Sequence, residues 1–367
     1  MHIVIVGAGV VGLSLARSAL ARGYRVTVLD QADVPNPNGA SFDQHRMIRY
    51  QYGTATGYAR MVAEAFPAWE RVWAEIGAQH FTDTGALSVS VREGDYGSNS
   101  LAMLRAAGLP VEEIDAAAIG RIAPQLVVPP HARGVLCRPG GPLYADRIVT
   151  DLARLVTERG AVVRARTRVA AVDADAGVVL TDSGERVTGD VVVVAAGAWL
   201  RGLDGISAGE VRVVRQVLCY VEPPAAHVQA WKTGPALVVL GDANCYSLPP
   251  TAGTELKFGS GDVLQEGDPA DGFVPPDGMA DRVLSVFAPY LKDAGEYRPG
   301  RLRVGYYVRD ATRRFRLLQQ GRAIVVTNCD GQMFKFGPLI GERLMEAIAG
   351  RRDLAAVTRW MAGEEAA

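Results

Sequence analysis

A strand, a glycine-rich turn, a helix and a second strand at the start of the chain constrain its fold more than any other feature. Ile3-Val4-Ile5-Val6 is a short β-branched run of the kind that forms buried parallel strands. Gly7-Ala8-Gly9-Val10-Val11-Gly12 follows, then a helical pattern with Leu13, Ala16, Leu20 and Ala21 on one face, ending at Gly23. A second apolar run, Val26-Thr27-Val28-Leu29, stops at Asp30. The GxGxxG spacing gives each glycine a task. Gly7 permits the tight turn, Gly9 lets backbone approach a pyrophosphate, and Gly12 lets helix and strand pack closely. Val10 and Val11, in the first helical turn, offer free N–H groups and the positive end of the helix dipole to phosphates. Asp30, with Gln31 beside it, is placed to accept the ribose hydroxyls. It would repel a 2′-phosphate, which disfavours NADP. The unit predicts dinucleotide binding and does not choose between FAD and NAD.

The 367 residues are 49% hydrophobic, enough for two domains with real cores. A formal net charge of −1 gives no basic excess for nucleic acid, and Trp199 and Trp231 stand apart from any basic stripe. Cys137, Cys219, Cys245 and Cys329 form no CxxC pair, and no two of His2, His45, His80, His131 and His227 share helical spacing, so no metal site is predicted. No basic n-region precedes the first apolar run and no 18-residue apolar span occurs. These features predict a cytoplasmic protein, a monomer or small homo-oligomer, with no stable membrane association and no nucleic-acid partner.

Further along, a helix over Ala145–Arg159 with Ile148, Leu152, Leu155 and Val156 on one face is followed by strands near Ala161–Arg164, Thr167–Val172 and Gly177–Thr181. The apolar strand Val191–Val194 runs into Ala195-Ala196-Gly197-Ala198-Trp199, small residues that let a loop pass close to a cofactor. Val211–Val221, Leu237–Leu240, Cys245–Leu248, Glu255–Ser260 and Leu302–Val308 read as strands, Gly278–Leu291 as an amphipathic helix, and Ala323–Thr327 as a returning strand.

Several spaced motifs make a resemblance specific: Gly7 to Gly12 with Asp30; Arg46-Met47-Ile48-Arg49; Ala196-Gly197-Ala198-Trp199; Glu255-Leu256-Lys257-Phe258-Gly259; and Gly331-Gln332-Met333-Phe334-Lys335-Phe336-Gly337-Pro338. Over nearly its whole length the chain resembles the D-amino-acid-oxidase superfamily of FAD enzymes, and within it the monomeric sarcosine oxidase and N-methyl-amino-acid oxidase branch. The resemblance implies an α/β (α+β overall) fold, a Rossmann-like FAD/NAD(P)-binding domain interleaved with an antiparallel-sheet substrate domain. The division expected is 1–80, 145–208 and 312–367 for the FAD domain, and 81–144 and 209–311 for the substrate domain. It implies that FAD is held by Gly7, Gly9, Val10, Val11, Gly12, Asp30, Gln31, Arg46, Met47, Val169, Ala196, Gly197, Trp199, Gly331, Met333, Phe334 and Lys335.

The expected reaction is oxidation of the C–N bond of a small amino acid, or an N-alkyl or cyclic one, to an imine. A hydride passes to flavin N5, and O2 reoxidises the flavin to give H2O2. By resemblance, Arg46 lies against the flavin ring. Arg49 and Lys335 grip the substrate carboxylate, and a guanidinium can do so by two parallel bonds. Lys257 serves the flavin face where O2 is reduced, while Tyr246 and Tyr307 flank the substrate. Read as residues alone, Arg46 and Arg49 also suit a surface pair, Lys257 a strand-edge lysine facing water, Lys335 a lysine snorkelling to solvent, and the tyrosines an ordinary interface. The helix opened by Gly337-Pro338 would aim its N-terminus at the flavin edge. No carboxylate stands in an obvious general-base position. A neutral amine is therefore expected to react, with a rate that rises with pH.

The chain departs from the family pattern at several places. Gly305 stands where relatives carry the cysteine that attaches FAD, which predicts noncovalent FAD. Gly261 and Phe42 replace histidines, His45 replaces a small hydroxyl residue, and Gln332-Met333 replaces a His-Gly pair, which puts sarcosine in doubt. Arg313, Arg314 and Arg316 read as a solvated turn or as a contact for a second acidic group on a larger substrate. Three other readings stay open: a flavin dehydrogenase passing electrons to a quinone or carrier, a nicotinamide-dependent opine-type dehydrogenase, and an NAD-binding module without turnover.

Overall fold

The computed structural model describes residues 1–364. Its first layer grows from the N-terminal unit: β1 (His2–Val6), α1 (Val10–Leu20) and β2 (Arg25–Leu29). β1 lies at the centre of a six-stranded sheet, between β2 and the strand Val191–Val194. Val162–Arg164 extends the sheet beyond β2, and Ala323–Thr327 adds on the other side, all parallel. Arg316–Gln320 closes that edge as an antiparallel hairpin partner. Alternation sets the two faces. Ile3 and Ile5 face a helical layer in which α1 packs on the helices Ala145–Glu158 and Gly337–Ile348. Val4 and Val6 face the opposite way, onto a three-stranded sheet that contains Val169–Asp173 and Val178–Thr181.

The second layer is a nine-stranded sheet. Its long strands Arg212–Glu222 and Arg298–Arg309 pair antiparallel along most of their length. Lys257–Ser260, Cys245–Leu248 and Ala236–Leu240 follow on the other side of Arg212–Glu222. One face packs on the helix Met279–Phe287, with Phe258 and Phe287 stacked at 4.0 Å and Trp231 buried beside them. The other face looks toward the first layer.

Four expectations need correction. The substrate sheet is not wholly antiparallel, since Ala236–Leu240 runs parallel to Ala86–Ser90. α1 ends at Leu20, so Ala21 is exposed rather than on the buried face. The helix expected over 278–291 is Met279–Phe287, followed by a separate 3₁₀ turn, Ala288–Tyr290, at Pro289, which lacks a backbone donor. The strand expected over 302–308 runs from Arg298 to Arg309, because its partner Arg212–Glu222 is equally long. Thr56–Ile76, a long helix that continues through Pro67, had not been read from the sequence.

Candidate active site

Two cavities meet at Ala40, which lines both. The first, about 660 Å³, lies over the ends of β1 and β2. Two glycines of the turn beneath it tolerate no side chain. Gly7 has φ +106°, and a Cβ there would stand 2.5 Å from the Ala195 carbonyl oxygen. A Cβ on Gly12 would stand 2.0 Å from the Gly7 carbonyl oxygen, so α1 sits directly on the turn. The Val10 N–H donates to Ser41 Oγ at 3.0 Å. Asp30 accepts from the Ala8 N–H at 2.9 Å and from the Ala32 N–H at 3.0 Å. Burial raises its carboxyl above the ordinary range, against those two N–H groups. Of the residues expected to hold FAD, Gly7, Gly9, Asp30, Gln31, Val169, Ala196, Gly197 and Trp199 line this cleft, and Val10, Val11 and Gly12 stand behind the lining in the first turn of α1. A turn that excludes a Cβ, followed by a helix N-terminus and a buried acid, fits the adenine dinucleotide half of FAD.

The second cavity, about 940 Å³, lies between the two layers. It brings together Arg46, Met47, Arg49, Tyr246, Lys257, Tyr307, Gly331, Phe334 and Lys335 from four separate stretches of chain. Met333 is not among them; it is buried in the helical core.

Arg49 and Lys335 form the unusual wall. The Arg49 guanidinium lies 4.4 Å from the centre of the Tyr52 ring and donates to Tyr96 Oη at 2.9 Å. Lys335 is 6% exposed, and its Nζ sits 5.7 Å from the same Tyr52 ring and donates only to the Gln332 carbonyl at 3.1 Å. Neither has an ion-pair partner among the described residues. Burial, reinforced by the Arg49 charge, pulls the Lys335 ammonium well below its usual range, and Asp330 opposes this. The lysine does not snorkel to solvent. The Tyr52 hydroxyl is buried here without a hydrogen-bond partner. Two cations held side by side on one aromatic ring have the charge and donors to accept a carboxylate.

The opposite region is compensated. Lys257, 1% exposed, donates to Asp43 Oδ2 at 2.9 Å and to the His45 carbonyl. It does not face water from a strand edge. Arg46 and Tyr220 also bond Asp43, and Arg303 approaches it at 3.7 Å. Burial alone would raise the Asp43 carboxyl, but the Lys257 and Arg46 charges overturn this and hold it well below the carboxylate range. Burial draws the Lys257 ammonium down to about 7, with Asp43 opposing. Asp43 was missed in the sequence reading; its one local signal is Arg46 three residues on. Arg46 is a member of this cluster, its other bonds going to the His45 and Ala40 carbonyls at 3.0 and 2.7 Å.

Tyr246 lies flat on Gly259, where a Cβ would come within 2.4 Å of its ring. Burial pushes its hydroxyl up to about 12. Tyr307 packs on Gly331, 3.1 Å from where a Cβ would be, and burial raises its hydroxyl too. The 3₁₀ turn Met333–Phe336 leads directly into the helix Gly337–Ile348, whose Gly337 and Gly341 press on Val10 and Ser14 of α1. Arg313, Arg314 and Arg316 are each paired, with Asp330, Glu364 and Asp310. Among the described residues, no group of side chains could hold a metal ion and no helix is long and apolar enough to cross a membrane.

The sequence profile of the FAD-dependent oxidoreductase family matches residues 2–347. Monomeric sarcosine oxidase of Bacillus sp. (strain B-0618) is 24% identical over 96% of the chain and 93% of its own length. N-methyl-L-tryptophan oxidase of Yersinia pestis (strain Pestoides F) is 25% identical over 93% and 92%. Among solved structures, L-proline dehydrogenase from P. horikoshii has a TM-score of 0.83 at 19% identity, covering 99% of the chain and 96% of its own. A modified fructosyl peptide oxidase from Aspergillus nidulans has a TM-score of 0.81 at 20% identity, covering 96% and 91%, and these two likenesses concern the fold alone.

Proposed function

This chain belongs to the FAD-dependent oxidoreductase family, and from that premise we propose that it oxidises the C–N bond of an amino acid or an N-alkyl or cyclic amino acid to the imine. The observation that carries this reading is the pair Arg49, half-buried, and Lys335, buried, two cations without an ion-pair partner among the described residues on the wall of a cavity that adjoins the dinucleotide cleft. When bound, FAD would supply the electron acceptor for the hydride that leaves the C–H bond beside the nitrogen, the nitrogen lone pair forming the C=N bond of the imine. The protein's own part is placement. Arg49 and Lys335 fix the carboxylate, which fixes the α-carbon. Tyr246 and Tyr307 close the flanks. Cofactor contacts on the substrate side would come from Arg46, Met47, Gly331 and Phe334, which line the same cavity.

The cavity lining contains Asp95, Asp242 and Asp330 as carboxylates, and each is already bonded: Asp95 to the Ser98 N–H, Asp242 to Arg92, Asp330 to Arg313. None is free as a general base, so the amine must arrive neutral. Anaerobic flavin bleaching with N-methyl, cyclic and primary amino acids is expected to show reduction rates that climb between pH 6 and pH 10 with the fraction of free amine. A flat profile, or no bleaching by any amine, overturns the reading.

Gly305 lines the cavity and offers no thiol, so FAD is held without a covalent bond. Acid precipitation should leave the yellow colour in solution; a yellow pellet would contradict this. O2 is the proposed oxidant, with Lys257 as the cation on that side. A carrier-linked dehydrogenase is the second reading. It is favoured by one feature, the neutralisation of Lys257 by Asp43.

A further inference from the structure

We propose that the substrate carries a second anionic group and that Arg309 receives it. The inference rests on the assignment of Arg49 and Lys335 to the first carboxylate. The cavity wall is rich in cations, and most are spoken for. Arg46 and Lys257 share Asp43. Arg92 pairs with Asp242 at 2.7 Å, Arg313 with Asp330 at 3.0 Å, and Arg314 with Glu364 at 3.0 Å. Three lining cations are left without an ion pair among the described residues: Arg49, Lys335 and Arg309. A single carboxylate, gripped by the first two, leaves Arg309 over.

Arg309 ends the strand Arg298–Arg309. Gly305, Tyr307 and Arg309 alternate onto one face of it and line the cavity, which Tyr306 also touches, while Val304 and Val308 are buried on the other face. Each step of two residues advances about 6.6–6.8 Å along a strand. Arg309 therefore stands one step along the strand beyond the tyrosine proposed to flank the substrate. Its Nε is buried and has no hydrogen-bond partner. The residue opposite it on the paired strand is Arg212, a like charge already committed to Glu266 at 3.2 Å. A guanidinium with a buried, unbonded N–H and only a cation across the ladder is completed by an anion. The basic turn that the sequence singled out for this task is internally paired, so the task falls to Arg309.

The test compares isosteres on the holoenzyme. N-methylglutamate is expected to exceed N-methylglutamine in kcat/KM by about 30-fold, mainly through KM, and Arg309→Gln should reduce that ratio to near unity while Arg309→Lys retains part of it. A readout without turnover is calorimetric binding of glutarate against butyrate, expected to favour glutarate about tenfold in the native protein and not in Arg309→Gln. Equal kcat/KM for the two isosteres, or a preference that survives Arg309→Gln, overturns the second anion and leaves amine oxidation standing. If no amino acid bleaches the flavin, both readings fall.

Discussion

Arg49→Met is expected to lower kcat/KM about 100-fold, nearly all of it through KM. The reasoning begins with what Arg49 lacks. Its guanidinium touches an aromatic face and one phenol oxygen, and no carboxylate. The cost of partly desolvating it is therefore offset only when an anion arrives. Truncating one partner of a buried, hydrogen-bonded charge pair costs about 2–5 kcal/mol, and about 3 kcal/mol corresponds to roughly a hundredfold. Lys335→Met should act in the same direction. The double variant should lose less than the sum, because the two cations repel in the free protein and meet the same ligand. Stopped-flow titration of flavin reduction against substrate concentration separates the dissociation constant from the limiting rate. An unchanged dissociation constant in Arg49→Met would remove this residue from the substrate site. Arg49→Lys is the informative control, since a point charge replaces a fork and should restore only part of the affinity.

The two halves of the molecule were unequally legible in the sequence. The N-terminal unit could be read residue by residue because its constraints are local. A Cβ at Gly12 collides with Gly7, five residues away, so the glycine pattern itself records the packing. Buried parallel strands such as Val191–Val194 and Ala323–Thr327 are uniform apolar runs, and their limits are as expected. The parallel pairing of Ala236–Leu240 with Ala86–Ser90 joins segments about 150 positions apart, and neither segment's alternation carries a sign of direction. The site shows the same division. Lys257 and Lys335 were visible as charges in apolar frames, and Arg49 through the resemblance. Asp43 was not, because its second counterion arrives on a strand of the other sheet, 214 positions on. Arg309 went unremarked in the sequence, and what marks it out is a missing partner in three dimensions. The arginines at 313, 314 and 316 drew attention as a cluster in sequence, yet Asp330, Glu364 and Asp310 each take one.

Asp43→Asn is the variant expected to cost the most stability. Asparagine keeps the shape and a partner for Tyr220, but it leaves Lys257, Arg46 and Arg303 around a neutral group. Breaking a buried pair from one side costs about 3–5 kcal/mol because the surviving charge is stranded, and here more than one is stranded. The fall in Tm of the holoenzyme measures it. Lys257→Met combined with Asp43→Asn should recover part of the loss, since one of the stranded cations is then gone. An Asp43→Asn protein as stable as the native one would mean that the cluster is not an ion pair at all. The pH dependence follows from the same geometry. The Asp43 carboxyl is held below its unfolded range, so its contribution is full above that range and is lost as pH falls through its folded value. Lys257 is the other half of the argument. Burial draws its ammonium down to about 7, with Asp43 holding against that pull, so Asp43 is a positioning residue that keeps Lys257 charged near neutrality. If that charge serves O2, three results belong together. Reoxidation of the native enzyme by O2 slows as pH rises through about 7, opposite to the trend for reduction. Lys257→Met slows reoxidation about 100-fold, the scale of losing one preorganised electrostatic contact, and spares reduction. Asp43→Asn reproduces the oxidative defect at pH 7 even though the lysine is still there. Should Lys257→Met reoxidise in air at the native rate, with little peroxide from either protein, the O2 assignment gives way to a carrier as electron acceptor. Asp43 would then be the residue that keeps the lysine from acting as a free cation.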